Sequence, residues 1–170
     1  MENVNVQRRD HDDIGSYLKP QECAEARIRT LLERKSGEVF TITQSRTVFE
    51  ALEAMSEHGI GALVVVEDDR VAGMISERDY ARKIILIGRS SRETTVREIM
   101  SWPARTVTPE QTVAECMALM TERRLRHLPV LEAGRLVGIV SLGDLVKSII
   151  ADQGHRLEQY EKYISGSYPT

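Results

Sequence analysis

Short apolar runs and helix-like patterns alternate along most of the chain. Val39 to Thr43 is rich in β-branched residues, which predicts a strand. Apolar residues between 48 and 58 recur at helical spacing, and Gly59 ends that pattern. Ala62 to Val66 is a continuous apolar run, typical of a strand buried on both faces. The predicted elements are strand 39–43, helix 48–58, strand 62–66, strand 71–75 and helix 79–86.

The same order of elements recurs 65 residues further along the chain. Residues 41–79 align with 106–144 without a gap, and 14 of the 39 positions are identical. The second set comprises strand 104–108, helix 112–123, strand 127–131, strand 135–140 and helix 144–151. Because a unit of about 50 residues buries too little apolar surface to be stable alone, the two copies should pack together about a pseudo-twofold axis. The predicted class is α/β (α+β), two β-α-β-β-α repeats with equivalent clefts between them.

The remaining segments flank or join these repeats. An amphipathic helix is predicted over 21–35, a single helical turn over 96–100 and a last amphipathic helix over 155–164. The predicted organisation is an N-terminal tail and helix 1–37, repeat 38–88, linker 89–103, repeat 104–152 and C-terminal helix and tail 153–170.

Composition narrows the class of protein. The net charge of −3 gives no electrostatic reason to expect nucleic acid or an anionic membrane as partner. No apolar run approaches the roughly 18 residues of a membrane span, and the polar start of the chain lacks a signal-peptide core. We therefore expect a cytoplasmic protein, with an organelle reached through a lost presequence as the alternative. Cys23 and Cys116 form no metal motif, so idle or buried thiols are favoured over a redox role.

Two Ser-x-x-Asp turns carry the clearest chemical signal. Ser76 with Asp79, and Ser141 with Asp144, stand where a predicted strand ends and a helix begins. One interpretation is purely structural, because this spacing is itself a helix N-cap pattern. The other is a nucleotide site: a helix N-terminus suits phosphate, and the Asp can accept hydrogen bonds from vicinal ribose hydroxyls. The occurrence of two copies beside apolar strands favours the second interpretation.

Other candidates give weaker signals. The four histidines show no ligand spacing, so no metal site is predicted. Arg123, Arg124 and Arg126 are either solvated charges or phosphate contacts, while Trp102 is favoured as a linker anchor over a ligand platform. The glycines match no P-loop or dinucleotide fingerprint, and no nucleophile–base pair is recognisable. Catalysis and a catalytic cofactor are therefore not expected.

The chain resembles tandem cystathionine-β-synthase (CBS) domain proteins, also called Bateman modules. The resemblance covers residues 38–152, and it is carried by the Thr-hydrophobic-Thr first strands, the His127-Leu-Pro-Val130 strand and the two Gly-hydrophobic-hydrophobic-Ser-x-x-Asp turns. It extends to the small stand-alone CBS-pair proteins of bacteria and plant organelles. The resemblance implies a non-catalytic regulatory module that binds an adenosine ligand: AMP, ADP, ATP, sometimes NAD or S-adenosylmethionine.

The resemblance implies a role for each matching residue. Asp79 and Asp144 would bind ribose hydroxyls, and Ser76 and Ser141 would face ribose or phosphate. The implied adenine contacts are the backbones of Ile42, Thr43, Val107 and Thr108, and the implied phosphate contacts are Arg78, Arg126 and His127. Because Gly143 stands where the first repeat has Arg78, the two sites should not be equivalent.

Three functions are compatible with these observations. The first is a regulatory module that signals nucleotide occupancy to a protein partner or through a homodimer, whose interface would use helices 48–58 and 113–123 or helices 79–87 and 144–151. The second is an oligomerisation or adaptor module with empty clefts. The third, a nucleotide hydrolase, is least favoured because no metal-carboxylate cluster or activated nucleophile is recognisable.

Overall fold

The computed structural model describes residues 26–35 and 37–151, which form a mixed α+β fold. The first repeat contains β1 (Thr41–Thr43), α2 (Val48–His58), β2 (Ala62–Glu67), β3 (Arg70–Ser76) and α3 (Glu77–Lys83), preceded by α1 (Ile28–Arg34). The second repeat contains α5 (Val113–Arg123), β4 (His127–Glu132), β5 (Arg135–Ser141) and α6 (residues 142–151), preceded by α4 (Val96–Ile99). The predicted helix 155–164 lies outside the described residues, as do residues 21–25 of the predicted helix 21–35.

Each repeat is built on an antiparallel hairpin. In the first repeat β1 runs parallel to β2, and β2 pairs antiparallel with β3. In the second repeat β4 pairs with β5 in the equivalent register, so that His127 opposes Ser141 as Ala62 opposes Ser76. Both hairpin turns have two residues with positive φ, which the right-handed twist of the strands favours.

The predicted strand 104–108 does not form. Only Val107 bridges to β4, through hydrogen bonds with Pro129 and Leu131. In the first repeat the amide of Val64 donates to the carbonyl oxygen of Phe40 at 3.3 Å. Pro129 occupies the position equivalent to Val64 and has no amide hydrogen to donate. The segment before Val107 is therefore held more loosely than its counterpart before β1.

Helix α3 is shorter than predicted. It ends at Lys83, and residues Ile85–Ile87 continue as a 3-10 turn that Gly88 ends at a φ of 68°. A capping box begins each of the two long helices: the Thr47 and Glu50 pair opens α2, and the Thr112 and Glu115 pair opens α5. Each box satisfies amides that would otherwise lack an acceptor.

The segment that precedes each repeat packs into the core of the other. Ile28 and Leu31 of α1 are buried with Val113 and Leu128 of the second repeat. In the same way α4, which follows the first repeat, buries Val96 and Ile99 in the first core. Each fully buried aliphatic side chain contributes roughly 1.5–3 kcal/mol. The N-terminal helix is thus a structural part of the second repeat, which the sequence analysis did not predict.

Candidate functional site

The Ser76–Asp79 turn joins β3 to α3. The Ser76 hydroxyl donates to Asp79 Oδ2 at 2.7 Å, and the Ser76 amide donates to the same oxygen at 3.1 Å. The Asp79 amide in turn donates to the Ser76 hydroxyl oxygen at 3.4 Å. Ser76 and Asp79 therefore form a capping box, as the structural interpretation of the motif predicts. This capping role is compatible with a further role in ligand binding.

The second oxygen of Asp79 faces other groups. Lys83 Nζ lies 2.9 Å from Oδ1, and the Ser101 hydroxyl donates to Oδ1 over a long 3.4 Å. Lys83 also donates to the carbonyl oxygen of Ile99 at 2.5 Å. Oδ1 thus retains capacity to accept a better hydrogen bond than the one that Ser101 provides.

Asp144 repeats the turn but has a different cationic neighbour. The amide and the hydroxyl of Ser141 both donate to Asp144 Oδ2 at 2.8 Å, and Lys35 donates to it at 2.7 Å. Lys35 immediately follows α1, and it also donates to the carbonyl oxygen of Ile139 at 3.1 Å. Burial by itself raises the pKa of the Asp144 carboxyl, but the hydrogen bonds from Lys35 and Ser141 outweigh burial and hold that pKa below its usual value.

A basic concavity, which we call the Asp79 cleft, has a volume of about 450 Å³ and is lined by residues from both repeats. Its first-repeat wall is the start of β2 with the end of β3 and the start of α3. Its second-repeat wall is the segment before Val107 and the junction of α5 with β4. Arginine dominates the lining, at positions 78, 82, 105, 123, 124 and 126, against the carboxylates of Glu77 and Asp79.

One direct contact spans the Asp79 cleft. Arg78 Nη1 donates to the carbonyl oxygen of Arg124 at 3.1 Å, which joins α3 of the first repeat to the end of α5. Arg124 is the left-handed C-cap of α5, with a φ of 54°. Its conformation turns the chain so that Arg123, Arg124 and Arg126 all line the same cleft.

A second concavity, the Ser141 cleft, measures about 560 Å³ and is less charged. It is lined by Lys35, Gly37, Glu38, Phe40, Ile60, Gly61, Ala62, His127, Ile139 and Ser141. Phe40 stacks on His58, with ring centroids 3.8 Å apart and an interplanar angle of 17°. Gly61, Ala62 and His127 line both clefts and so form the partition between them.

His127 occupies an electropositive position in this partition. Burial is the main cause that lowers the pKa of its imidazole, and the charges of Lys35, Arg126 and Arg78 lower it further against the opposing effect of Asp144. The imidazole is consequently neutral at physiological pH. It can act as a hydrogen-bonding group toward a ligand in either cleft without adding positive charge.

The structure brings together most of the residues singled out from the sequence. Ser76, Arg78, Asp79, Arg126 and His127 line the Asp79 cleft. Ser141 lines the Ser141 cleft, and Asp144 is hydrogen-bonded to Ser141 and Lys35 at its edge.

Four of the predicted contact residues line neither cleft. They are Ile42, Thr43, Val107 and Thr108. Val107 is only 2% exposed because it pairs with β4, and Thr43 lies at the far end of β1. The residues of these segments that do line a cleft come a few positions before the predicted contacts. They are Phe40 in the Ser141 cleft and Ala104 with Arg105 in the Asp79 cleft. The adenine contacts assigned to the backbones of Ile42, Thr43, Val107 and Thr108 stay a prediction.

Sequence reasoning also missed several cleft residues. Arg82 lies one helical turn after Arg78, and this spacing could have identified it. Lys35 could not have been identified, because its position depends on the packing of α1 against the second repeat.

Among the described candidates, Trp102 and Cys116 line neither cleft. Trp102 is 73% exposed, so its ring is not packed in the way that the predicted role of linker anchor requires. Cys116 is fully buried, and burial, with the charge of Glu115 as a smaller cause, raises the pKa of its thiol to about 11. Cys23 lies outside the described residues. Within residues 26–35 and 37–151, no group of three His, Cys, Asp or Glu side chains is arranged to hold a metal ion.

The molecule is thus a tandem α+β module. Both clefts are lined by residues of both repeats, and the helix that precedes each repeat packs against the other repeat. The family model of the CBS domain matches residues 32–86 and 96–151, and the chain belongs to this family. It is similar to the CBS domain-containing protein CBSX3, mitochondrial, of Arabidopsis thaliana, with 44% identity over 131 residues, 74% of this chain and 64% of the relative. The chain therefore spans less than two thirds of that relative.

Solved structures show the same architecture. A CBS-domain protein from Burkholderia ambifaria is 51% identical, with a TM-score of 0.73 over 75% of this chain and 96% of that one. A hexameric CBS-CP12 protein from bloom-forming cyanobacteria is 32% identical, with a TM-score of 0.62 over 68% of each chain. Among the described helices, none has the length and apolar character that a bilayer crossing requires.

Proposed function

We propose that the chain is a non-catalytic regulatory module that binds an adenosine nucleotide, AMP, ADP, ATP or NAD, between its two CBS repeats. The observation that carries the proposal is the position of the two Ser-x-x-Asp turns, each at a concavity lined by both repeats. A nucleotide in either cleft would contact both halves of the molecule. Its occupancy would then be signalled to a protein partner or through a dimer.

The contacts of Asp79 and Asp144 suit a ribose. Two vicinal hydroxyls can donate to one carboxylate. Among the described residues, Asp79 Oδ1 accepts only a long hydrogen bond from Ser101 besides its contact with Lys83. The contacts that Asp144 makes with the described residues converge on Oδ2, and we propose Oδ1 as the acceptor for a ribose hydroxyl. The arginines of the Asp79 cleft would bind phosphate oxygens through charge-assisted, often bidentate hydrogen bonds.

Signalling requires that the ligand bind two states of the module unequally. A nucleotide that contacts Asp79 in one repeat and Arg126 in the other would favour the arrangement in which these two residues are close. Any arrangement that separates the repeats would lose one set of contacts. The ligand would therefore shift the equilibrium toward the arrangement in which it contacts both repeats.

A thermal-shift panel with AMP, ADP, ATP, NAD and S-adenosylmethionine on ligand-free protein tests this function. A ligand at 100 times its Kd adds about 2.7 kcal/mol to the unfolding free energy, enough to raise the melting temperature measurably. A shift with one or more adenosine ligands is the expected result. No shift with any of them would leave the adaptor function as the better explanation.

A homo-oligomer is the second part of the proposal. Ile85 and Ile150 occupy equivalent positions of the two repeats and are 58% and 62% exposed. Leu86, in the 3-10 turn after α3, and Val146, within α6, are further exposed apolar side chains in the same two segments. These exposed side chains favour residues 79–87 and 144–151, rather than α2 and α5, as the interface. The structurally similar cyanobacterial CBS-CP12 protein is itself hexameric. Sedimentation of wild-type protein and of Ile85→Glu/Ile150→Glu tests it: a smaller species is expected for the variant, and equal mass would contradict it.

The compartment stays a prediction. The sequence favours the cytoplasm, while the Arabidopsis relative is named as mitochondrial. Fractionation of the source cells would decide between the two.

A further inference from the structure

We infer that the Asp79 cleft is a polyphosphate site, selective for ligands with two or three linked phosphate groups, and that the Ser141 cleft lacks this selectivity. The inference deepens the proposed function and depends on it only for the adenosine part of the ligand. The polyphosphate chain itself would be recognised through charge.

The first argument is the charge of the cleft. Six arginines face two carboxylates in a concavity of about 450 Å³, although the chain as a whole carries a net charge of −3. Arg123 pairs with Glu122 at 3.2 Å, but both side chains are more than half exposed, so this pair neutralises little. Among the described residues, no ion pair is formed by Arg78, Arg82, Arg105, Arg124 or Arg126. The cleft therefore has a strong excess of positive charge.

The second argument comes from the internal repeat, which supplies a residue-by-residue control. Each position of one repeat has a counterpart 65 residues away in the other. The counterparts of Arg78, Arg105, Arg123, Arg124 and Arg126 are Gly143, Phe40, His58, Gly59 and Gly61. Only Arg82 has a cationic counterpart, Lys147. Five arginines are thus specific to one cleft, so the general demands of the fold do not explain them.

The third argument is the distribution of these arginines over the two repeats. Arg78 and Arg82 project from α3, whereas Arg105 and the group around Arg124 belong to the second repeat. Like charges on opposing walls repel each other when the cleft is empty. A single phosphate group carries only about −1.5 to −2 charges at pH 7, which is less than the excess of four positive charges that six arginines and two carboxylates leave in this cleft, whereas a di- or triphosphate chain carries more negative charge.

The geometry also explains why Arg105 is available. In the first repeat Phe40 accepts a hydrogen bond from Val64, and its ring stacks on His58. Arg105 replaces Phe40, and Pro129 removes the corresponding donor, so the Arg105 backbone is not held in a strand. Its side chain is exposed at the cleft rather than packed.

Calorimetric titration with AMP, ADP, ATP and inorganic triphosphate, without divalent cations and at two salt concentrations, tests the inference. The variant is Arg105→Ala/Arg126→Ala. The matched control is Arg70→Ala/Arg135→Ala, which also removes two exposed arginines but at the opposite end of the β3 and β5 strands. We expect affinity to rise with phosphate number, inorganic triphosphate to bind, and the variant to lose roughly tenfold to a hundredfold in triphosphate affinity. The control should keep wild-type affinity.

The outcomes separate the two proposals. Binding of AMP but not of inorganic triphosphate, or equal affinities for AMP and ATP, would overturn the polyphosphate inference and leave the proposed function intact. Binding of inorganic triphosphate with no adenosine ligand binding more tightly would support the inference and remove the proposed function. Equal losses in variant and control would also overturn the inference, because the effect would then reflect overall charge.

Discussion

Lys35 Nζ lies 2.7 Å from Asp144 Oδ2 and so connects the helix at the start of the described chain to the last Ser-x-x-Asp turn. The equivalent carboxylate, Asp79, receives its ammonium group from Lys83 within its own helix. The two turns therefore have the same cap but a different cation from a different part of the chain. This difference makes the second turn dependent on the docking of α1.

Replacing Lys35 by Met should destabilise the protein at neutral pH by about 0.5–1 kcal/mol, a small value because both side chains of the pair are partly exposed. The folded state lowers the pKa of Asp144, so the pair contributes fully above the unfolded value of 3.8 and its contribution is lost as pH falls through the lower folded value. Urea unfolding at pH 7, 5 and 3 should show a constant difference between wild type and variant at pH 7 and 5 and a smaller one at pH 3. Arg34→Met is the control on the same helix, and a difference that persists at pH 3 would contradict the assignment.

Replacing His127 by Ala, its counterpart in the first repeat, should reduce the loss of stability on acidification. Because the folded pKa of His127 lies below 6.5, the unfolded chain binds the proton first as pH falls, and wild-type stability decreases below about pH 6.5. The free energy of unfolding at pH 7.5 and 5.5 should therefore fall more in the wild type than in His127→Ala. His58→Ala serves as the comparison, and an equal fall in wild type and His127→Ala would show that His127 is not responsible.

Gly73 and Gly138 are equivalent positions with unequal room for a methyl group. A Cβ at Gly73 would lie 2.8 Å from the carbonyl oxygen of Ser101, which is fixed by a hydrogen bond from Met74. A Cβ at Gly138 would meet the end of the Leu32 side chain at 2.5 Å, and that side chain can rotate away. Gly73→Ala should cost about 1–3 kcal/mol and more than Gly138→Ala. Chemical denaturation of the two variants measures both costs, and an equal or larger cost at Gly138 would refute the argument.

The sequence was sufficient for the features that depend on local pattern. The repeat, the capping boxes and the buried character of β2 follow from residue type and spacing, and all are present. The contributions of α1 and Lys35 to the second repeat, and of α4 to the first, depend on long-range packing that has no local signal. The position of Arg105 in the Asp79 cleft depends on Pro129, which has no amide hydrogen to donate to the Arg105 carbonyl oxygen. This effect can be recognised only once the structure shows that the segment at Arg105 lies beside β4.

The structure also changes the design of the decisive variant. Asp79 and Asp144 both accept capping hydrogen bonds from Ser76 and Ser141, so alanine would remove a cap as well as a ribose acceptor. Asparagine keeps one oxygen for the cap and removes the charge. Asp69→Asn is the matched control, because Asp69 lies exposed in the hairpin turn at a φ of 61°, which asparagine tolerates.

Calorimetric titration of ligand-free protein with ATP, AMP and NAD, on wild type, Asp79→Asn, Asp144→Asn and Asp69→Asn, tests the central claim most directly. The account predicts that wild type and Asp69→Asn bind at least one of these nucleotides with equal affinity, and that Asp79→Asn or Asp144→Asn weakens that binding about tenfold or more. Binding that is unchanged in both cleft variants, or no binding to the wild type, would contradict it.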